Sequence, residues 1–211
     1  MLGALLAVSV LVHNQDAVSP QVLEKSMQIA EKAFRSAGIR MQWRTAQPDV
    51  FDADALHLAL LPGMAGRRGF ESTSPDAGHA ILVQEGFATM ARVFFGKVEE
   101  LSFDYHARGY GTLAAIPLSA TQPAILAVVV AHELAHLLLG RNSHKPGGLM
   151  DRSIQSESVL AAITGKLAFD AGQAADLRFE IMARQLHSGG FESLPLRTPG
   201  ILECDLAGSS E

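Results

Sequence analysis

Two histidines one helical turn apart, His132 and His136, enclose a glutamate in an otherwise apolar stretch. Residues four apart on a helix project from one face, so the two imidazoles can bind the same metal ion. A zinc ion bound by histidine nitrogens at about 2 Å lowers the pKa of its water to about 7. Glu133 flanks that face and can take the proton of such a water without being a ligand. The spacing therefore predicts a zinc site with a general base beside it.

The residues around this motif favour a metal ion over ordinary core histidines. From Ala124 to Leu139 the chain carries no charged or strongly polar side chain besides the motif itself. A helix that is apolar all round is buried. Burying a glutamate and two histidines without partners costs several kcal/mol, which a bound metal ion would offset. The alternative, two hydrogen-bonded core histidines and a salt-bridged glutamate, is therefore disfavoured.

A third protein ligand is expected after this helix. Gly140 is expected to end the helix, because a glycine at that position lets the chain reverse. His144, eight residues after His136, can then return to the metal ion and is the favoured ligand. Glu157, twenty-one residues after His136, and Asp151 remain alternative ligands.

The segment from His132 to Met150 contains a second glycine turn. Gly147 and Gly148 permit a tight reversal, which would place Met150 beneath the histidines. The segment resembles the metzincin-like zinc peptidases and is most similar to uncharacterised bacterial proteins with the pattern His-Glu-x-x-His-Leu-Leu-Leu-Gly-x-x-x-His-x-x-x-Gly-x-Met. The resemblance implies a zincin fold, Zn²⁺ as cofactor and hydrolysis of peptide bonds. It also implies three metal ligands, a general base and a turn methionine, which are His132, His136 and His144, then Glu133, then Met150.

This chain departs from the usual metzincin pattern at two points. Gly140 and His144 follow His136 by four and eight residues, which are longer distances than in the usual metzincin. The turn after the helix must therefore be remodelled. In addition, no tyrosine follows Met150 to stabilise an oxyanion, as one does in some relatives.

Other residues that could take part in catalysis lie before the motif. Tyr105, His106 and Tyr110 could line a cleft, where a tyrosine hydroxyl could stabilise an oxyanion. Ordinary loop positions are the simpler interpretation of these three residues. His57 and His79 fall in or beside strand-like segments and are interpreted as core or edge histidines.

The elements that must position the site begin with a strand, a helix and a second strand. Ala4–Val12 is strand-like, and Ser19-Pro20 is typical of a helix start, with apolar residues at helical spacing until Gly38. Ile39–Thr45 alternates apolar and polar residues, as half-buried strands do. This βαβ unit predicts two parallel strands joined by a right-handed crossover.

Three more strands are predicted, at Ala55–Leu61, His79–Val83 and Ala91–Val98. Residues 63–78 are rich in glycine, serine and proline and are interpreted as a loop. The run Ala91–Phe95 is typical of the strand that borders a zincin cleft, where an extended peptide could add as a further strand.

Helices are predicted in the second half of the chain. After an irregular stretch at Leu101–Gly111, Pro123 is expected to open the long active-site helix, which ends at Leu139. Phe169-Asp170-x-x-Gln173 predicts the start of a last helix, as a capping box preceded by an apolar residue.

The expected fold class is therefore α+β and zincin-like or metzincin-like. It has a twisted mixed β-sheet of about four to five strands with a βαβ start, a buried active-site helix, a methionine turn and a C-terminal helix. A single catalytic domain is predicted over residues 1–187. Residues 188–211 are expected to be a C-terminal extension at the surface or disordered.

Composition limits the partners. The net charge of −5 gives no electrostatic reason to expect nucleic acid. Cys204 is the only cysteine, so neither an internal disulfide nor a cysteine-rich metal site can form. The apolar start, Met1 to Val12, is too short to span a bilayer, and no lysine or arginine precedes Lys25. No stable membrane span and no convincing signal peptide are predicted, and export stays open.

The leading functional prediction is zinc-dependent hydrolysis of a peptide or protein substrate, with Glu133 as general base. A zinc-binding module of zincin fold without proteolytic activity is the alternative, motivated by the altered ligand spacing. Another zinc-dependent hydrolase is a third possibility. RNA-maturation endonucleases share the His-x-x-x-His spacing but do not need the glutamate. Peptide deformylases need a cysteine ligand upstream of the motif, whereas Cys204 lies near the C-terminus.

Overall fold

The computed structural model describes residues 5–46, 52, 54–62, 76–82, 90–107, 111–141, 144–188 and 202–207. Within these ranges the chain forms a mixed α+β fold, as predicted. The strands are β1 (Leu6–Asn14), β2 (Ile39–Thr45), β3 (Leu56–Leu61), β4 (Asp76–Leu82), β5 (Met90–Phe94) and β6 (Leu202–Ala207). The helices are α1 (Pro20–Ser36), α2 (Phe95–Ala107), α3 (Leu118–Leu139), α4 (Ser156–Ile163) and α5 (Ala171–Ser188), with a 3₁₀ turn at Gly111–Ala115.

All six strands belong to one sheet in the order β2-β1-β3-β5-β4-β6. Strands β2, β1, β3 and β5 run parallel to one another. Strand β4 runs antiparallel to β5, and β6 runs antiparallel to β4. The predicted βαβ start is confirmed, because β1 and β2 are parallel and joined by α1. The sheet is mixed, as expected, but it has one strand more than the predicted four to five. The additional strand comes from residues 202–207, where the sequence indicated none.

The helices α1 and α3 pack on the same face of this sheet. They contact each other, and α1 also contacts β2 while α3 contacts β3, β4 and β5. Strand β2 shows the consequence, since Ile39 and Met41 are buried while Arg40 and Gln42 are exposed. The main core therefore lies between one face of the sheet and these two helices, and α3 runs through it.

Helix α3 is buried along its full apolar length, as predicted, and ends at Gly140. Its start differs from the prediction, because the helix begins at Leu118 behind an N-cap at Pro117, and Pro123 lies inside it. The helix is long and apolar enough to cross a membrane, but 94% of its most apolar window is buried within the protein. Its composition therefore reflects a position in the core.

Two predictions around β5 were wrong in part. Residues 91–94 of the predicted strand Ala91–Val98 belong to β5, but the strand ends at Phe94. Residues 95–98 and residues 101–107 of the predicted irregular stretch Leu101–Gly111 belong to helix α2. The reason is visible in the burial pattern, because α2 buries residues at helical spacing: Phe95, Val98, Leu101, Ser102 and Tyr105. Residues 108–110 fall outside the described part of the chain.

The prediction that Ala91–Phe95 borders a cleft was also wrong. Strand β5 is hydrogen-bonded to β3 on one side and to β4 on the other, so an additional peptide strand has no edge to join there. Strand β4 begins at Asp76, three residues before the predicted start at His79. Most of the predicted loop, residues 63–75, lies outside the described residues.

The predicted capping box at the start of α5 is confirmed. The Gln173 backbone N–H donates to Asp170 Oδ1 (2.7 Å), and the Asp170 N–H donates to Gln173 Oε1 (3.1 Å). The apolar residue ahead of it, Phe169, packs its ring 5.0 Å from that of Phe34 on α1. Arg178 on α5 also donates to the Ala37 carbonyl (2.8 Å), so the C-terminal helix is fastened to α1 at two points.

Candidate metal centre

Helix α3 places the three residues of the motif in the core. His132, Glu133 and His136 each have no exposed surface. The Nε2 atoms of His132 and His136 lie 2.8 Å apart, as expected for side chains one turn apart on the same helix face.

The chain brings His144 back to these two histidines. Gly140 adopts a left-handed conformation (φ 61°), and its N–H donates to the His136 carbonyl (2.9 Å). Beyond this reversal, His144 Nε2 lies 3.3 Å from His132 Nε2. One ligand atom from each of the three histidines lies within 4.8 Å of the others, so His132, His136 and His144 are close enough to hold a metal ion.

Hydrogen bonds on the far side of the rings support this assignment. His132 Nδ1 lies 2.8 Å from the Leu149 carbonyl oxygen, and His136 Nδ1 lies 3.1 Å from the Arg141 carbonyl oxygen. A carbonyl only accepts, so each Nδ1 carries the hydrogen and each Nε2 presents its lone pair. Two lone pairs facing each other at this distance repel unless a cation lies between them. The donor set therefore fits a metal ion, with the carbonyls orienting the ligands.

Burial keeps these imidazoles in the neutral form that binds metals. It lowers the pKa of His136 from 6.5 to about 4. It lowers the pKa of His132 well below its usual value, and the nearby His136 adds to that effect. The pKa of His144 is lowered mainly by burial and also by the charge of Arg152, against an opposing effect of Asp151. Near neutral pH the three side chains are therefore ready to act as ligands.

The glycine turn after His144 is confirmed. Gly147 and Gly148 have left-handed backbone conformations (φ 79° and 80°), which favour glycine. The Gly147 N–H donates to Asp151 Oδ2 (2.6 Å), and the Lys145 N–H donates to the Met150 carbonyl (3.0 Å). Met150 is buried next to Leu149, whose carbonyl orients His132. The turn thus connects directly to a candidate ligand, while the role of Met150 as the floor of the site stays a prediction.

The alternative third ligands, Asp151 and Glu157, do not belong to this group of converging ligand atoms. Asp151 is engaged by the turn, where its Oδ1 also accepts from the Ser153 N–H (3.1 Å). Glu157 is in the first turn of α4, and its carboxylate accepts from the Ser156 hydroxyl (3.2 Å). Within the described residues, the group of potential ligands is made of the three histidines alone.

Strand β4 passes close to Glu133. A Cβ added at Gly78 would lie 2.9 Å from Val129 Cγ1 and 3.1 Å from Glu133 Cγ. Glycine at this position therefore lets the sheet approach the general-base candidate. The sequence gives no local signal for this approach, because residues 63–78 have the composition of a loop.

The C-terminal end of α3 is held by α5, which the sequence also did not predict. The guanidinium of Arg184 donates to the carbonyls of Leu137 and Leu138, in the last turn of α3. A cation bonded to the final carbonyls stabilises a helix terminus. This contact fixes the turn from which the chain departs towards His144.

Tyr105 and His106 lie on helix α2 and have structural partners. The Tyr105 hydroxyl donates to the Ile154 carbonyl (2.9 Å), and the side chain is buried. His106 Nε2 lies 3.3 Å from the Thr121 hydroxyl on α3. These contacts give both residues a packing role, so the suggestion that Tyr105 stabilises an oxyanion finds no support. Tyr110 is outside the described residues.

His57 and His79 lie in strands, as predicted. His57 on β3 is buried, and its Nδ1 lies 2.9 Å from Nε2 of His13 on β1. His79 on β4 is partly exposed, with its ring 5.4 Å from that of Phe94.

Comparison of the chain with protein-family models and with curated proteins finds no match.

Proposed function

We propose that this chain is a zinc-dependent hydrolase of peptide bonds. The observation that carries the proposal is the convergence of three histidine nitrogens beside Glu133, which lies in the same helical turn as two of them. A zinc ion held there would supply a Lewis acid and acidify its water.

The donor chemistry favours zinc among the common metal ions. Neutral imidazoles suit zinc, whereas magnesium and calcium take oxygen ligands. Three protein ligands are typical of catalytic zinc sites, which keep a further position for water or substrate. His132, His136 and His144 would hold the ion, and the carbonyls of Leu149 and Arg141 would keep two of the rings oriented.

Glu133 is assigned the movement of protons. Its carboxylate takes a proton from the attacking water and passes it to the nitrogen of the departing amine. A carbon–oxygen bond forms and the amide carbon–nitrogen bond breaks, so the products are a carboxylate and an amine. Burial of Glu133 beneath β4 strengthens its electrostatic interactions, because little water screens them.

The order of elements supports a zincin-like, metzincin-like fold. A βαβ unit, further strands, a helix carrying the motif, a glycine-containing turn with Met150 and a terminal helix follow each other as the resemblance implies. The longer spacing to His144 is compatible with this assignment. The left-handed residue Gly140 reverses the chain, and His144 returns to within 3.3 Å of His132.

The test is a digestion of an unbiased peptide library followed by mass spectrometry. Wild type, zinc-restored wild type and Glu133→Ala are compared at equal zinc content, and chelator-treated protein without zinc is the negative control. Removing a general base is expected to slow cleavage by about a hundredfold or more, while zinc stays bound. Glu157→Ala is the matched control, because that carboxylate lies on α4 and is not among the converging ligand atoms. Cleavage by Glu133→Ala at the wild-type rate would show that the assigned role is wrong.

A zinc-binding module without proteolytic activity is the second candidate. The observation in its favour is that Glu133, His132 and His136 have no exposed surface. A substrate can touch these three side chains only if part of the protein moves. Tight zinc binding without cleavage of any library peptide, in every variant tested, would support this candidate.

A further inference from the structure

Strand β4 is the part of the sheet that meets both the site and the C-terminal strand. On its helix side, the Gly78 position lies against Glu133 and Val129 of α3. Its inner edge pairs with β5, with Gly78 opposite Val93. Its outer edge is therefore a backbone edge beside the contact with Glu133, where an extended chain can pair.

Strand β6 occupies this outer edge. It runs antiparallel to β4, with Ala80 opposite Cys204, Ile81 opposite Glu203 and Leu82 opposite Leu202. Further along, His79 pairs with Asp205 and Asp76 with Ala207, so the register shifts between Asp76 and His79. The irregularity falls at the part of β4 that includes Gly78. Bulges of this kind are frequent beside active sites.

The residues of β6 are poor strand formers. The segment reads Leu-Glu-Cys-Asp-Leu-Ala, and glutamate, aspartate and alanine are depleted in strands. Such a strand depends on the edge that it joins rather than on its own propensity. A better strand-forming peptide can therefore replace it, because both use the same backbone donors and acceptors.

We propose that β6 is an internal, displaceable occupant of the peptide-binding edge of the site. In the structure, β6 pairs with β4 while His132, Glu133 and His136 have no exposed surface, which describes an inhibited state. An extended peptide substrate then binds by displacing β6 and pairing with the outer edge of β4. This inference rests on the proposed hydrolase function for its catalytic consequence, but the exchange of strands can be measured without cleavage.

A reversible cross-link tests the exchange in the full chain. Ala80 stands directly opposite Cys204, the only cysteine. Opposed residues of antiparallel strands have Cα atoms about 4.5–5.5 Å apart, within the range that a disulfide spans. In Ala80→Cys, oxidation therefore locks β6 onto β4, and a non-thiol reductant releases it. The double variant Ala80→Cys/Cys204→Ser is the matched control, because it cannot form the cross-link.

Two readouts follow the zinc-loaded variants. The first is binding of a fluorescent peptide with the sequence of residues 200–209 and serine in place of the cysteine. The second is cleavage of library peptides. An intramolecular occupant acts at a millimolar effective concentration, so locking it is expected to weaken peptide binding and cleavage by about tenfold or more. The reduced protein and the double variant carry the same Ala80→Cys change as the oxidised protein, so they are its references and are expected to behave alike.

A second variant releases β6 instead of locking it. Backbone N–H groups of successive strand residues point to opposite edges, so Cys204→Pro/Asp205→Pro removes a donor that faces β4. It is expected to bind the peptide more tightly than wild type and to cleave faster. Ser209→Pro, which lies beyond β6 in the sequence, is the matched control and is expected to have no effect.

The outcomes separate the two proposals. Redox-controlled peptide binding without cleavage in any variant would support the exchange of strands and contradict the hydrolase function. Cleavage at the same rate by cross-linked and reduced Ala80→Cys would overturn the exchange and leave the hydrolase function standing. Failure of the cysteine pair to cross-link would also contradict the exchange of strands, because the register of β6 on β4 would then differ from the one observed.

Discussion

Two groups of histidines lie in this protein at similar distances but with different arrangements. His132 and His136 on α3 approach to 2.8 Å, and His13 on β1 approaches His57 on β3 to 2.9 Å. The contact on α3 joins two Nε2 atoms, whereas the contact in the sheet joins Nε2 of His13 to Nδ1 of His57. Distance alone therefore does not distinguish a metal site from a hydrogen-bonded pair.

The partners of the other ring nitrogens make the difference. His57 Nε2 lies 3.0 Å from the Asp52 carbonyl oxygen, so this nitrogen carries the hydrogen and Nδ1 accepts from His13. The sheet pair is a head-to-tail chain of donors and acceptors, which requires no cation. On α3, both Nδ1 atoms face carbonyls, so the Nε2 lone pairs converge and a third imidazole joins them.

Replacing one of the proposed zinc ligands should have the largest effect and should show most clearly how the two groups of histidines differ. In His132→Ala we expect loss of the bound zinc ion, because two histidines remain where three are needed. At zinc concentrations about a thousandfold above Kd, this removes about 4 kcal/mol of stabilisation. Metal content after gel filtration and the free energy of unfolding with and without zinc are the measurements.

His13→Ala is the control for this comparison. It is expected to keep one zinc ion per chain, since His13 belongs to the head-to-tail pair. Equal zinc content in His132→Ala and wild type would mean that the ion is bound elsewhere.

The site was largely predictable because its residues are close together in the sequence. The turn of a helix brings His132 and His136 together, and the left-handed Gly140 returns the chain to His144. Local rules of helix geometry and termination are sufficient for this step. The capping box at Asp170 and Gln173 was predictable for the same reason.

The contacts that surround the site could not be predicted, because they join distant parts of the chain. The approach of Gly78 to Glu133 and the bonds of Arg184 to the end of α3 depend on tertiary packing. Strand β6 pairs with β4 although residues 202–207 have weak strand propensity, so the local sequence does not predict this pairing. By contrast, helix α2 had a usable signal in the spacing of Phe95, Val98 and Tyr105, which the apolar Phe94-Phe95 run concealed.

Acid should lower the free energy of unfolding of the metal-free protein through the α3 group, which consists of His132, His136 and His144. The pKa of His136 is about 4 in the folded chain and 6.5 in the reference state. Between these values the unfolded chain binds more protons, so the stability present above pH 6.5 is lost as the pH falls towards 4. The loss amounts to about 3 kcal/mol. Urea unfolding of chelator-treated protein at several pH values measures it.

His136→Gln is the control for the acid effect, because glutamine does not titrate. Its free energy of unfolding should vary less with pH over this interval. An equally steep pH dependence in the variant would assign the effect to other groups.

A methyl group at Gly78 should disturb the α3 group and leave the sheet pair intact. In Gly78→Ala the new Cβ would lie within 3.1 Å of Val129, Glu133 and the Arg92 carbonyl oxygen. Overpacking of this kind costs about 1–3 kcal/mol. Cleavage should fall as Glu133 moves, while zinc stays bound. Gly165→Ala is a suitable control, since a Cβ there meets no atom within 4 Å and only the left-handed backbone is strained.

The smallest effect is expected in the sheet pair itself. His13→Gln removes the imidazole that contacts His57 Nδ1, and the net value of such a hydrogen bond is about 1 kcal/mol. We expect a loss of stability of this size, measured by urea unfolding, that is the same with and without zinc. Because no convergent lone pairs are involved, zinc content and cleavage should equal those of wild type. A zinc-dependent loss in His13→Gln would show that the two groups are coupled, and the distinction drawn from their nitrogen partners would then be wrong.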